Sequence, residues 1–209
     1  MYAGSMETSE ERGPRPYRMR KRREDVEETR RRIVDAAVEL HGSVGPVNTT
    51  FSAVAERAGV QRSTLYRHFP DEAALFGACT SHWLATHPWP AVAPWGAIED
   101  PHERLRRALR ELYAYFEANE QMLANSYRDI EVMPPFVREL MGAEIAAMHS
   151  TLLEPWPAEA RRATRLSAAL RHALDFRAWL SLHDAGLPAA EAAELMNSMV
   201  ASVADGAPD

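Results

Sequence analysis

The stretch THPWPAVAPWGAIEDP, residues 86–101, cannot be one helix, because each proline lacks a backbone donor and crowds the turn before it. On both sides of it apolar residues recur at helical spacing, and Gly and Pro fall between the periodic segments. The chain of 209 residues is therefore read as all-α, with about nine helices, no strands and a boundary at this proline-rich run. Four helices precede it. The first starts at Glu27, carries Ile33, Ala36, Ala37, Leu40 and Val44, and ends at Gly45-Pro46. Short helices over 51–58 and 62–68 follow, and a fourth opens at Asp71-Glu72 and runs to about Ala85. Beyond the boundary, helices are expected over 102–118, 120–132, 136–153, 158–184 and 188–204. The expected organisation is a disordered arm over 1–24, a small unit over 25–85 and a larger one over 86–209.

Charge is divided unevenly between these parts. Residues 1–70 hold 13 of the 24 Lys and Arg and 10 of the 30 Asp and Glu, a net +3 in a chain of net −6. Arg12, Arg15, Arg18, Arg20, Lys21, Arg22 and Arg23 form a basic run without an apolar period. A basic arm beside an acidic body is a footprint of nucleic-acid binding, although a solvated tail has the same composition. The lone cysteine, Cys79, excludes an internal disulfide and reads as a small packed hydrophobe. No apolar run is long enough to span a bilayer, and the start of the chain lacks an h-region, so the expected setting is cytoplasmic with no membrane partner.

The chemistry concentrates in AERAGVQRSTLYRHF, residues 55–69. Two short helices meet across Ala58-Gly59-Val60, with Gly59 as a left-handed turn residue and Thr50 as the N-cap of the first. Leu65 and Phe69, four apart, bury one side of the second against Ile33, Ala37 and Leu40, which turns Gln61, Arg62, Ser63, Tyr66 and Arg67 outward. This is a helix-turn-helix, whose second helix enters the DNA major groove N-terminus first. Arg can bond guanine bidentately and Gln can pair with adenine, while Ser, Thr and Tyr hydroxyls bond phosphates. A plain helical hairpin would also expose a polar face. Such faces favour Glu and Lys, however, and no acid stands from Gln61 through Phe69.

The pattern TxxxxAxxAGVxxxTLYxHFxxxxxL, here TFSAVAERAGVQRSTLYRHFPDEAAL from Thr50 to Leu75, resembles the DNA-binding signature of the TetR family of bacterial transcriptional regulators. The likeness covers roughly residues 30–76. It implies an all-α fold in which three helices read double-stranded operator DNA, a fourth connects them to a larger domain, and the last two form a homodimer. Position by position, it implies that Thr50 caps the second helix and touches phosphate. Gln61, Arg62, Ser63, Thr64 and Arg67 would face bases or phosphates, and Tyr66 and His68 would lie on the backbone. Two positions depart from the family pattern: Glu72 stands where many members have Lys, and Pro46 where an aromatic is usual. A basic arm reaching the adjacent minor groove could offset the missing Lys.

The larger part lacks HExxH, GxSxG or a phosphate loop, so no enzyme, cofactor or metal site is read there. His82 and His87 lack a ligand spacing, and His172 and His183 read as hydrogen-bonded helix residues. The 158–184 segment carries two apolar stripes, Leu166/Leu170/Leu174 and His172/Phe176/Trp179/His183, and so needs two partners: its own core and the same helix of a second subunit. Either stripe can serve either role. With Leu195, Met196, Met199 and Val203 of the last helix, the leucine stripe is the candidate dimer seam. Trp95, Tyr113, Phe116, Met122, Tyr127, Phe136, Met148, Phe176 and Trp179, with Arg128, His149, His172 and Asp175 nearby, are candidates to line a pocket for an apolar effector with a polar handle. The same residues at helical spacing also suit an ordinary core. The resemblance implies a small-molecule effector of unidentified structure that releases DNA. The leading expectation is thus a homodimeric, ligand-responsive repressor. The alternative is a helical small-molecule-binding protein whose DNA reader has lapsed.

Overall fold

The computed structural model describes residues 15–162 and 164–206. Among these, twelve α-helices and two short 3-10 turns account for the regular structure, and no strand occurs. In chain order the helices are α1 Arg15–Ser43, α2 Phe51–Ala58, α3 Arg62–His68, α4 Glu72–Thr86, α5 Ala93–Gly96, α6 Pro101–Ala118, α7 Glu120–Arg128, α8 Pro135–Leu153, α9 Ala158–Arg162, α10 Thr164–Ala173, α11 Phe176–Asp184 and α12 Ala189–Asp205. Sequence-encoded caps set many boundaries. Asp71, Asp100 and Asp175 accept from the backbone N–H of Ala74, Glu103 and Arg177 at 2.7–2.8 Å, opening α4, α6 and α11.

Apolar side chains gather in two clusters. The first joins Ile33 and Ala37 of α1, Val54 and Ala55 of α2, Leu65 of α3 with Phe69, and Leu75 and Cys79 of α4. The second is built on α6 and α12, with Leu105, Leu109, Leu112 and Phe116 packed against α8, α10 and α11 through Met148, Leu170, Leu174 and Trp179. α6 and α12 run antiparallel: Glu117 accepts from Ala189 N, Arg110 pairs with Glu194, and His102 meets Asp205. The buried Arg104 guanidinium donates to the carbonyls of Ile98, Gly96 and Thr151 and to Glu154, so its charge is fully engaged.

Four readings from the sequence change. Residues 15–24 are the start of α1 rather than disordered arm; residues 1–14 of that arm lie outside the described residues. Arg, Lys, Glu and Met are good helix formers, and no Gly or Pro interrupts residues 17–41. The 158–184 segment is not one helix: Leu174 leaves the helix and Asp175 caps a new one, α11. The 120–132 segment ends as a helix at Arg128 and continues as a 3-10 turn over Ile130–Val132. Most consequentially, Leu166, Leu170 and Leu174 are at most 1% exposed within a single chain, so this stripe faces its own core and offers no surface to a partner.

The two clusters are joined at the end of α1. Gly45 has φ 91°, open to glycine, and a Cβ there would also collide with the Arg128 guanidinium. From α7, Asn125 Nδ2 donates to the carbonyls of His41 (3.2 Å) and Gly42 (2.7 Å), and Arg128 Nη2 to that of Val44 (3.2 Å). Asp129 accepts from the backbone N–H of Val47 at 3.1 Å while gripping Arg128 through both oxygens. The Arg128 hydrogen bond, helped by that N–H, holds the Asp129 carboxyl below the usual carboxylate range. Beside this joint the buried His41 ring stacks on Phe76 of α4 at 4.6 Å. Burial lowers its pKa from the ordinary 6.5 to about 4.

Replacing Asn125 by Ala strips two α1 carbonyls of their donor and is expected to cost about 1–3 kcal/mol in urea unfolding. His41 gives a pH signature. The folded chain keeps it neutral while the unfolded chain takes up a proton below about pH 6.5, so stability falls as pH drops from 6.5 toward 4 and is untouched above that window. The loss approaches roughly 3 kcal/mol at the acid end. His41→Leu should lose correspondingly less stability than the wild type between pH 7 and about pH 4.5; equal losses would rule this contribution out.

Candidate nucleic-acid interface

α2 and α3 form the helix-turn-helix. Thr50 Oγ1 accepts from Ala53 N at 3.2 Å, and Gly59, with φ 65°, closes α2. The N–H of Val60 returns to Ala55 O at 2.9 Å, which holds the turn tight. Leu65 and Phe69 are buried, and Arg30 of α1 lies 4.3 Å over the Phe69 ring. Gln61, Arg62, Ser63, Tyr66 and Arg67 are exposed, with Thr64 and His68 half-buried.

The outward residues of α3 fall into two pairs four apart. Arg62 and Tyr66 lean toward the start of α2: the Tyr66 ring packs at a tilt on Phe51, 5.1 Å between centres, and the Arg62 guanidinium lies 6.0 Å from the Tyr66 ring. Ser63 and Arg67 occupy the neighbouring face. Burial first, then Arg67 and Arg30, lower the His68 pKa against the opposing Glu27. Arg57 is paired with Glu39 and takes no part in this surface. The Arg62 and Arg67 guanidinium groups and the Ser63 and Tyr66 hydroxyls are exposed, and such groups can bond base edges and phosphates. An open cleft of about 830 Å³ borders Thr50, Arg62 and Tyr66; the first turn of α4, with Asp71 and Glu72, and the Val132–Pro135 loop form its far wall.

The residues nominated as an effector pocket do not come together as one. Trp95, Tyr113, Phe116, Met148, Phe176 and Trp179 are fully packed in the second cluster, Trp95 donating to Glu111 and Tyr113 to Ala173 O. Tyr127 stacks on Phe176; Asp175 is a helix cap; His149 bonds Ser167; His172 and Phe136 are exposed; Arg128 belongs to the α1–α7 joint. Of that set, only Met122 lines a small, mostly apolar cavity beside the reader. This cavity, about 80 Å³, lies between α1, α4, α7 and α8, with walls that include His41, Phe76, Trp83, Met122, Met133 and Met141. A signal for it was present in α4, which is apolar over a wide arc: Leu75 and Cys79 join the first cluster, and Cys79 with Phe76, Trp83 and Leu84 lines the cavity. A helix apolar on two sides needs two partners. On α12, Met196 is buried, Val203 is half-buried, and Leu195 and Met199 are 42% and 49% exposed.

Comparison with known proteins agrees with this geometry. Residues 33–79 match the family model "Bacterial regulatory proteins, tetR family". The HTH-type transcriptional regulator AcrR of Shigella flexneri is 39% identical over 57 residues, 27% of this chain and 26% of that protein. TtgR of Pseudomonas putida, also an HTH-type transcriptional regulator, is 36% identical over 69 residues, 33% of each. The matched segment thus spans only a quarter to a third of these relatives' length. The fold extends further. A TetR-like transcriptional regulator from Rhodococcus sp. RHA1 superposes with a TM-score of 0.59 over 86% of this chain and 97% of that one, at 22% identity. The regulator PfmR of Thermus thermophilus gives 0.56 over 85% and 99%, at 20% identity. Residues 33–79 are thus similar to the tetR family of bacterial regulatory proteins, and 86% of the chain shares the fold of the Rhodococcus regulator.

Proposed function

We propose that this chain is a DNA-binding transcriptional regulator that occupies its operator as a homodimer, represses transcription there, and leaves when a small apolar molecule binds. Residues 25–85 act as reader and connector, and 86–209 as the effector and dimer domain. The observation that carries the reading is the α3 surface, where Arg62, Ser63, Tyr66 and Arg67 are exposed without an acid among them beside the Thr50-capped start of α2. Gln61 and Arg62, at the leading end, meet base edges; Thr50, Tyr66 and His68 meet the backbone.

Dimerisation is assigned to α12. Leu195 and Met199 lie four apart on its exposed side, flanked by Ser198 and Ser202, a surface low in charge and suited to a twofold copy. Effector binding is assigned to the cavity between α1, α4, α7 and α8. At about 80 Å³ it is smaller than the roughly 150 Å³ that holds benzene, so a ligand must spread its methionine-rich walls. His41, Pro46, Phe76 and Met133 line both this cavity and the cleft at the reader, so one layer of side chains separates the effector from the DNA-facing groups. Release requires only that the effector bind the spread state more tightly than the DNA-bound one.

A second reading, a small-molecule-binding protein with a lapsed reader, is favoured by Asp71 and Glu72, which present two carboxylates to the cleft that phosphate would approach. Selection of genomic fragments by the purified protein at about 50 and 200 mM salt separates the two. The regulator enriches one palindromic site with steep salt dependence, and Arg62→Ala weakens that site by about 1–3 kcal/mol while relaxing base preference. Absence of any enrichment by a folded dimer would favour the lapsed reader. In sedimentation, Leu195→Glu is expected to convert the dimer to monomer; a variant that stays dimeric moves the interface off this face of α12.

A further inference from the structure

The walls of the cavity between α1, α4, α7 and α8 restrict what can enter it more by charge than by size. Among the described residues that line it there is no Asp, Glu, Lys or Arg. Its titratable groups are neutral at ordinary pH as well. Burial lowers the pKa of His41 to about 4 and raises those of Cys79 and Tyr115 to about 12. A carboxylate, phosphate or ammonium entering here would lose its hydration and meet no opposite charge. Aromatic rings contribute much of the lining, from Phe76, Trp83, Trp89 and Tyr115, beside the thioethers of Met122 and Met133. Methionine turns easily about its bonds and packs its sulfur on ring edges, so these walls can spread around a flat guest. One polar ring in the wall is left without a protein partner. The backbone carbonyl of His41 receives Asn125 Nδ2, but its imidazole makes no hydrogen bond among the described residues. Burial is the single cause of its lowered pKa, with no bonded group or nearby charge contributing. The ring is 7% exposed, stacks on Phe76, and lines both the cavity and the adjoining cleft. Buried polar groups are nearly always hydrogen-bonded, and this one faces a space that a ligand can occupy.

We propose that the molecule taken by this cavity is an uncharged, single-ring aromatic alcohol, phenol being the simplest, whose hydroxyl bonds the His41 imidazole while its ring lies among the aromatic and methionine side chains. The proposal rests on the assignment of effector binding to this cavity. A neutral imidazole has one donor and one acceptor nitrogen, and a hydroxyl can serve either, so both tautomers suit the contact. The same ring without its hydroxyl would leave His41 buried and unbonded, and a charged analogue would be refused by the whole wall. His41 therefore sets which ligand is accepted, whereas the surrounding rings and thioethers supply affinity for any apolar guest. Its place in the fold gives the contact a route outward. His41 also borders the cleft that Thr50, Arg62 and Tyr66 share, so the bound hydroxyl lies one side chain away from the reader.

Calorimetric titration of the full chain at neutral pH with phenol, toluene, benzoate and benzylamine tests this. Toluene replaces the hydroxyl by a methyl group of nearly the same size, and the other two carry a charge. Phenol is expected to bind about tenfold or more tighter than toluene, and neither charged compound to bind. His41→Leu should bring phenol down to the level of toluene, whereas His41→Gln, which keeps a donor and an acceptor, should retain the preference. Toluene matching phenol in the wild type, a preference undiminished in His41→Leu, or binding of benzoate or benzylamine overturns the proposal. So does a folded chain that does not bind phenol. The cavity assignment has a separate control in two variants that fill the space from α4 and from α1, Thr80→Phe and Val38→Phe. Phenol binding unchanged in both places the ligand elsewhere, and the assignment falls together with the proposal. Phenol and toluene binding equally to the wild type, with both excluded by the fillers, leaves the assignment standing and removes the hydroxyl contact alone.

Discussion

An α-helix ends with carbonyls that its own backbone leaves without donors, and for α1 those donors come from another part of the fold. Asn125 serves His41 and Gly42, and Arg128 serves Val44, while Asp129 both orients Arg128 and receives Val47 N. The helix that carries Ile33 and Ala37 into the first cluster is thereby fixed to α7, which packs its Leu123 into the second. Gly45 is constrained twice at this joint, by its left-handed backbone and by the guanidinium that fills the space a side chain would need. Pro46, buried beside it, supplies a compact apolar surface to the same junction.

This joint borders the cavity through His41 and Pro46. The cavity is walled by α1, α4, α7 and α8 together. α1 is tied to α7 through Asn125 and to α4 through the His82–Asp35 pair, while Phe76, Trp83 and Leu84 of α4 meet the cavity by packing. α4 is also the helix that follows the reader in the chain, so the wall it gives the cavity is continuous with the α2–α3 unit.

The reader was legible in the sequence because its constraints are local. Thr50 caps at three residues' distance, Gly59 closes a turn, and Leu65 and Phe69 share a helical face, all within one short window. The all-α class followed from period and punctuation in the same way. What period cannot supply is the choice between two apolar stripes. Leu166, Leu170 and Leu174 fit a seam or a core equally well, and burial against α8 and α12 settles it only once the tertiary arrangement exists. Aromatic residues misled for a related reason: Trp95 and Tyr113 find partners in Glu111 and Ala173 O, far away in sequence, and so pack fully. The break at Leu174-Asp175 was readable, since Asp175 is a good N-cap, but unbroken apolar spacing outweighed it.

Asp71 and Glu72 show how local stability and surface function compete at one place. Asp71 caps α4 at 2.8 Å from Ala74 N, and Glu72 sits in its first turn, where a negative charge meets the positive end of the helix and contributes about 0.3–1 kcal/mol. A cation at position 72 would forgo that term and gain a charge for phosphate. The chain carries the acid here, while Arg62 and Arg67 stand exposed on α3. The charge that anchors α4 and the cations of the exposed α3 side are thus on different helices.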